Sequence, residues 1–155
     1  MVEIERKFLV TSDDYKLQSF SQNRISQGYL NSHPERSVRI RICGESGLLT
    51  IKGKSNESGN TRFEWETEIS LTDARKLIEL CEPGIIDKIR YKVAFGEHVF
   101  EIDEFLGDND GLVVAEVELR NEDDSFDRPE WLGEEVTGVI KYYNASLVSN
   151  PFKNW

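Results

Sequence analysis

The 155-residue chain is poor in the residues that build common redox and soft-metal sites, with two cysteines, two histidines and one methionine. Cys43 and Cys81 lie far apart and belong to no metal-spaced cluster, and His33 and His98 each stand alone in an expected loop. That pattern argues against a zinc site or a disulfide and for reduced thiols and surface histidines. Long apolar runs are missing too, so no segment reads as a membrane span. The amino terminus carries glutamates where a secretory signal would have a basic region and an apolar core, so a cytoplasmic location is expected. Positive charge is the minority sign, 19 Lys and Arg against 29 Asp and Glu, for a net charge of -10. A general nucleic-acid binder needs a net basic surface to displace counterions from phosphates, and this chain lacks one. An anionic small ligand stays open, because local basic clusters or bound cations could receive it.

What the chain has in quantity is alternation. In Val2 to Val10 the residues Glu3, Glu5 and Lys7 fall on one face of a strand and Val2, Ile4, Phe8 and Val10 on the other. The pattern returns in Ser37–Cys43, where Arg39 and Arg41 oppose Val38, Ile40 and Ile42, and in Leu48–Lys52, where Thr50 and Lys52 oppose Leu49 and Ile51. It recurs in Thr61–Ile69 with Arg62, Glu64, Glu66 and Glu68, in Ile86–Val93 with Lys88, Arg90 and Lys92, in Val99–Phe105 with Glu101 and Asp103, and in Leu112–Leu119 with Glu116 and Glu118. With Ile25–Leu30, these segments predict eight strands joined mostly by hairpin-length turns. A capped helical turn is expected within Thr11–Phe20, and an amphipathic helix over Leu71–Leu80 with a Thr or Asp cap, ended by Pro83-Gly84. In the tail a short helix is expected to start at Pro129–Leu132, and Val139–Val148 reads as helical. With no repeat and no linker, residues 1–155 form one domain.

Periodicity alone does not say which way the charged face points, since a half-solvated open sheet alternates as well. Two further points favour closure. The few helices can cover only one face, and eight antiparallel strands suffice for a barrel whose lumen holds one small ligand. The expected fold is therefore α+β, mainly β: a closed eight-stranded antiparallel β-barrel, or tunnel, with a charged lumen and a few helices packed outside. Glu3, Glu5, Glu116 and Glu118 come from the two ends of the strand run, which closure brings together. Carboxylate oxygens without cysteine or histidine suit Mg²⁺ or Mn²⁺. Lys7, Arg39, Arg41, Lys52, Lys88 and Arg90 would grip a highly charged oxyanion, guanidinium forks matching phosphate oxygens. Together these groups describe polyphosphate chemistry.

Glu3-x-Glu5-x-Lys7 at the amino terminus resembles the ExExK signature of the CYTH domain, the triphosphate tunnel metalloenzymes. Arg39 and Arg41 in VRIR, Lys52 in TIK, Glu64 and Glu66 in RFEWE, Lys88 and Arg90 in DKIRY, Asp103 in EID, Glu116 and Glu118 in AEVEL, and Lys141 in the tail follow in the expected order. The resemblance covers roughly residues 1 to 148 and implies a tunnel that binds a triphosphate and divalent cations. It implies that Glu3, Glu5, Glu116 and Glu118 place the metal, that Glu64 and Glu66 with Asp103 orient the attacking water or a second metal, and that Lys141 joins the phosphate-binding cations. Tyr29 reads either as a lumen residue holding Lys7 or as an ordinary core tyrosine. Arg62, Glu68, Lys92 and Arg120, near strand ends, stay open between solvent and site. Ile140 departs from the polar character expected before Lys141. The short chain and the Trp131–Asn144 segment look most like the small bacterial members that hydrolyse inorganic tripolyphosphate. Rival expectations are a class IV adenylyl cyclase, a thiamine triphosphatase and a non-catalytic module binding nucleotides or polyphosphate. The expected partner is a small-molecule triphosphate, with no nucleic acid and no membrane, and a homodimer is compatible with the sequence.

Overall fold

The alternation is realised as nine strands in the computed structural model, which describes Met1–Trp155. They are β1 Val2–Val10, β2 Ser21–Asn31, β3 Arg36–Cys43, β4 Ser46–Gly53, β5 Thr61–Ile69, β6 Ile86–Phe95, β7 His98–Phe105, β8 Val113–Glu118 and β9 Leu132–Glu135. The hydrogen-bonded order is β5-β4-β3-β2-β6-β7-β8-β1, and β1 also pairs with β5, so the first eight strands close a barrel. All pairings are antiparallel. The seam is short: Val2, Glu3 and Ile4 meet Phe63, Arg62 and Thr61. Beyond them β9 takes over the free edge of β1, Phe8 opposing Glu135 and Val10 opposing Leu132.

Closure sends the two faces to different surroundings. The apolar face of β1, β6, β7 and β8 forms the larger core outside the barrel wall, with Phe8, Tyr91, Val93, Phe100, Ile102, Ala115 and Val117 buried against Tyr15 and Trp131. Tyr15 belongs to the one-turn helix α1, Tyr15–Gln18, and the Trp131 indole N–H donates to the Gln18 amide oxygen at 2.9 Å. Helix α2, Leu71–Glu79, lies over β2, β3 and β4. A second, smaller cluster lies on the charged face: Ile86, Phe105 and Val114 alternate in phase with Lys88, Asp103 and Glu116 and pack with Leu112 and with Leu147 of helix α3, Asn144–Leu147. Apolar side chains thus replace charges at one end of the lumen and stopper it.

Four local expectations are corrected. β2 starts at Ser21 rather than Ile25, because Ser21–Arg24 pair through their backbone with Lys92–Ile89 of β6 while carrying no apolar alternation to announce a strand. The α2 cap is Ser70, whose hydroxyl accepts the Asp73 N–H at 3.0 Å, rather than a Thr or Asp. No helix starts at Pro129–Leu132; the free edge of β1 recruits Leu132–Glu135 as a strand, which satisfies backbone groups that would otherwise stay open. Val139–Val148 is a 3₁₀ turn, Ile140–Tyr142, and the short α3, parted by an extended Tyr143. The Tyr143 ring meets Lys7 and Arg62, with Lys7 Nζ 5.2 Å and Arg62 Cζ 5.8 Å from its centroid.

Trp131 is 1% exposed and touches the rings of Tyr15 and Phe100, so it fastens the tail to the outer core. Trp131→Ala is expected to lower unfolding free energy by about 3–5 kcal/mol, measured by denaturant titration. A loss below about 1 kcal/mol would show that the tail does not anchor the core there.

Candidate active site

The lumen encloses a cavity of about 220 Å³, and only three of its 23 lining residues are hydrophobic. An apolar ligand is therefore excluded, and the cavity takes its character from charges set opposite one another across strands. Lys7 opposes Glu116, Lys52 opposes Glu64 and Arg90 opposes Asp103, pairs of opposite sign fixed by register. Side-chain contacts extend the pairing: Lys52 Nζ lies 2.9 Å from Glu3 and 3.4 Å from Glu64, and Lys7 Nζ lies 3.5 Å from Glu116.

The tightest group is Arg90, Asp103 and Lys88. Arg90 grips Asp103 through Nε at 2.8 Å and Nη2 at 2.9 Å, and Lys88 Nζ reaches the same carboxylate at 2.8 Å. Lys88 is 1% exposed and Asp103 2%. Burial alone would raise the Asp103 pKa, but Arg90 and Lys88 outweigh it and hold the carboxyl far below its ordinary range. Burial acts in the same way on Glu116 and is overcome mainly by Lys7, which brings that carboxyl down to about 2.

Beside Lys88 and Arg90 of β6, basic charge on the cavity wall comes from Arg39 and Arg41 of β3 and Lys52 of β4. Burial pushes the Arg41 guanidinium down, helped by Arg39 and Arg90. Arg41 donates through Nε and Nη2 to the Gln27 amide oxygen, both at 3.2 Å. Arg39 donates through Nη2 to Thr50 Oγ1 at 3.1 Å, and its buried Nε has no hydrogen-bond partner at all. A buried guanidinium N–H left without an acceptor costs free energy that an incoming oxyanion would recover.

The acidic side carries the reverse strain. Glu5 stands opposite Glu118, and Glu101 opposite Glu116, so like charges face each other directly across β1, β8 and β7. Burial, reinforced by Glu116 and Glu3, pushes the Glu5 carboxyl up to about 8. Burial also raises Glu3, against the pull of Lys52, and raises Glu118 with help from Glu3 and Glu101. No three carboxylate, histidine or cysteine side chains gather closely enough to cage an ion as they stand. Glu3 and Glu116 are instead held by Lys52 and Lys7.

Most of the expected residues meet in this one cavity: Glu3, Glu5, Lys7, Tyr29, Arg39, Arg41, Lys52, Glu64, Glu66, Lys88, Arg90, Glu116 and Glu118 all line it. Arg62 joins them 3.6 Å from Glu3, which settles its side of the barrel. Lys92 and Arg120 border an open cleft that shares Glu101 and Glu118 with the cavity, and Glu68 is exposed outside both. Three expectations change. Asp103 does not line the cavity; it lies behind Arg90 and Lys88, which occupy both its oxygens, so it is not grouped with Glu64 and Glu66. Lys141 is exposed outside the lumen, its Nζ 4.3 Å from the Trp155 ring centroid, because the tail turns at Tyr143 instead of continuing as a helix. Tyr29 lines the cavity without holding Lys7, whose ammonium instead meets the Tyr142 carbonyl oxygen at 3.4 Å and the Tyr143 ring. Tyr143 and Asn144 line the cavity with no sequence signal for it, and Gln27 lies buried behind it against Arg41. Gln27 shares its strand phase with Tyr29 and was legible from that, whereas the tail residues gave no signal in a helical reading.

Residues 1–149 match the CYTH domain. The chain belongs to the CYTH-domain family. An inorganic triphosphatase of Acetivibrio thermocellus is 46% identical over 155 residues, covering 99% of this chain and 97% of that one. One of Nitrosomonas europaea is 37% identical over 153 residues, covering 95% and 97%. The crystal structure of an inorganic triphosphatase superposes with a TM-score of 0.64 at 32% identity, covering 94% of this CYTH chain and 97% of that one.

Asp103→Asn leaves the buried Lys88 without a carboxylate partner and Arg90 with Glu101 alone. It is expected to cost about 3–5 kcal/mol at neutral pH, measured by denaturant unfolding. The sign with pH follows from the lowered carboxyl. Its contribution is complete above the unfolded value near 3.9 and is lost as pH falls toward the folded one, so the gap between variant and unaltered protein narrows below about pH 4. A gap that is constant from pH 7 to pH 3 would refute the ion-pair account.

Proposed function

We propose that this protein hydrolyses a triphosphate, with inorganic tripolyphosphate as the substrate. The observation that carries the reading is the crowded basic wall of a closed lumen, where Arg39 keeps a buried N–H without an acceptor beside Arg41, Lys52 and Lys88. The inorganic triphosphatases at 46% and 37% identity support it across nearly the whole chain.

Lys7, Arg39, Arg41, Lys52, Lys88 and Arg90 hold the phosphate oxygens and fix the chain of phosphorus atoms in one orientation. Water attacks the terminal phosphorus in line, the bridging P–O bond breaks, and orthophosphate and pyrophosphate leave. Glu64 and Glu66 would orient that water; that both line the cavity while Asp103 is already saturated by Arg90 and Lys88 supports this assignment. Glu66 already accepts the Thr50 hydroxyl at 2.6 Å, which fixes its rotamer. Catalysis is positioning and charge neutralisation with no covalent intermediate.

The donor set on β1 and β8 fits a hard divalent cation. Glu3, Glu5, Glu116 and Glu118 offer only carboxylate oxygens, and the facing like charges and the raised Glu5 are the strain that such an ion would relieve. These four residues would hold Mg²⁺ or Mn²⁺, which supplies withdrawal of negative charge from the phosphate oxygens.

Phosphate release from tripolyphosphate with Mg²⁺ or Mn²⁺, and its loss on chelation, is the expected result. Glu5→Gln and Glu116→Gln are each expected to lower kcat at least about a hundredfold, several kcal/mol of charge stabilisation being removed. Full turnover by the double variant in chelator would sink the metal assignment. Cyclic AMP as the main product from ATP would overturn the hydrolase reading.

A further inference from the structure

A chain of hydrogen bonds on the basic side of the lumen runs through two uncharged side chains. Lys88 Nζ donates to Asn144 Oδ1 at 3.0 Å, Gln27 Nε2 donates to the same oxygen at 3.2 Å, and Gln27 Oε1 accepts both contacts from Arg41 at 3.2 Å. The orientation of both amides is forced, because the chain ends on an ammonium and a guanidinium, which can only donate. Gln27 must turn its oxygen to Arg41 and therefore its nitrogen to Asn144, which must turn its oxygen to Lys88.

We propose that Gln27 and Asn144 are positioning residues for the phosphate-gripping cations, forming a neutral bridge that sets Lys88 and Arg41 at a fixed spacing and makes the carboxy-terminal segment part of the substrate site. The inference rests on the triphosphatase reading and deepens it.

Three observations carry it. Gln27 is 0% exposed, so its side chain serves neither solvent nor surface, and every polar contact it makes lies within the bridge. Asn144 lines the cavity, and the buried Leu147 in the same short helix packs in the inner apolar cluster, which fixes where Asn144 stands. The neighbouring Tyr142 carbonyl meets Lys7 and the Tyr143 ring meets Lys7 and Arg62, so one stretch of three residues touches three lumen cations from the tail side.

The choice of amides has a physical logic. Lys88 and Arg41 repel each other, and two like cations held together need an acceptor between them. A carboxylate would satisfy the geometry but would cancel the positive potential that draws in an anion. An amide oxygen satisfies both donors and leaves their charge for the phosphates. Asp103 supplies the countercharge from behind, away from the cavity.

The test is steady-state hydrolysis of tripolyphosphate by the full chain with Mg²⁺ or Mn²⁺, together with thermal unfolding of each variant. Gln27→Leu and Asn144→Leu are each expected to raise KM about tenfold, the factor for one charge-assisted hydrogen bond. A purely structural loss would reduce the amount of folded enzyme, lowering apparent kcat and leaving KM where it was. The double variant is expected to be no worse than the weaker single one, since both break the same bridge. Asn144→Ala serves as the second probe should the leucine fail to fold. An unchanged KM in a folded Asn144 variant, or KM penalties that multiply in the double variant, would overturn the inference while the unaltered enzyme still turned over. No phosphate release from the unaltered protein would instead overturn the triphosphatase reading beneath it.

Discussion

The contact of Arg90 and Lys88 with Asp103 is where the barrel's charges are most completely withdrawn from water, and the arrangement of the cavity follows from it. Burying a lysine, an arginine and a carboxylate is tolerable only when each is paired and hydrogen-bonded, and here the aspartate accepts from both neighbours at once. With Asp103 behind them both cations front the lumen, where Lys88 meets no other carboxylate and Arg90 meets only Glu101. Across the barrel the same need is met less completely: Lys52 and Lys7 are shared with Glu3, Glu64 and Glu116 in contacts that a ligand or ion can rearrange. One region of the lumen is thus locked and the other poised.

The poised region is also where like charges face one another. Register alone brings Glu5 to Glu118 and Glu101 to Glu116, and no rotamer choice on paired strands can move them far apart. A barrel selected for stability alone would not keep such pairs, so they point to a ligand of positive charge, as the unpartnered Nε of Arg39 points to one of negative charge. Both sets of groups line the same cavity, and the proposed metal–polyphosphate pair would answer both.

Much of this was legible in the sequence because the strand period is two. Glu3 and Glu5, Arg39 and Arg41, Lys88 and Arg90, and Glu116 and Glu118 each fall in phase, and closure carries all of them into one lumen. The inner apolar cluster is not legible from sequence because Ile86, Phe105 and Val114 are in phase with charged residues, and phase does not say how deep in a barrel a residue sits. Strand phase puts Asp103 on the charged face but does not reveal its saturation by Arg90 and Lys88, which depends on side-chain reach rather than spacing. The tail departs from its sequence pattern for a different reason. Whether residues near Leu132 extend as a strand is decided by the free edge of β1, more than a hundred residues away in sequence, and local propensity carries no trace of that edge. Asn144 was missed with it.

The place of β1 in the wall has a kinetic consequence. The first strand of the chain pairs with β5 through only three residue positions, and its remaining partners, β8 and β9, are among the last strands to be synthesised. Such pairings are of high sequence separation, and the loop entropy they demand must be met before they reward the chain. Glu3 can pair early with Arg62 of β5, but Glu5 meets Glu118 only when β8 joins β1. Assembly of the acidic pole therefore depends on the same β1–β8 pairing that shuts the ring, and a chain that ends before β8 carries only half of that pole.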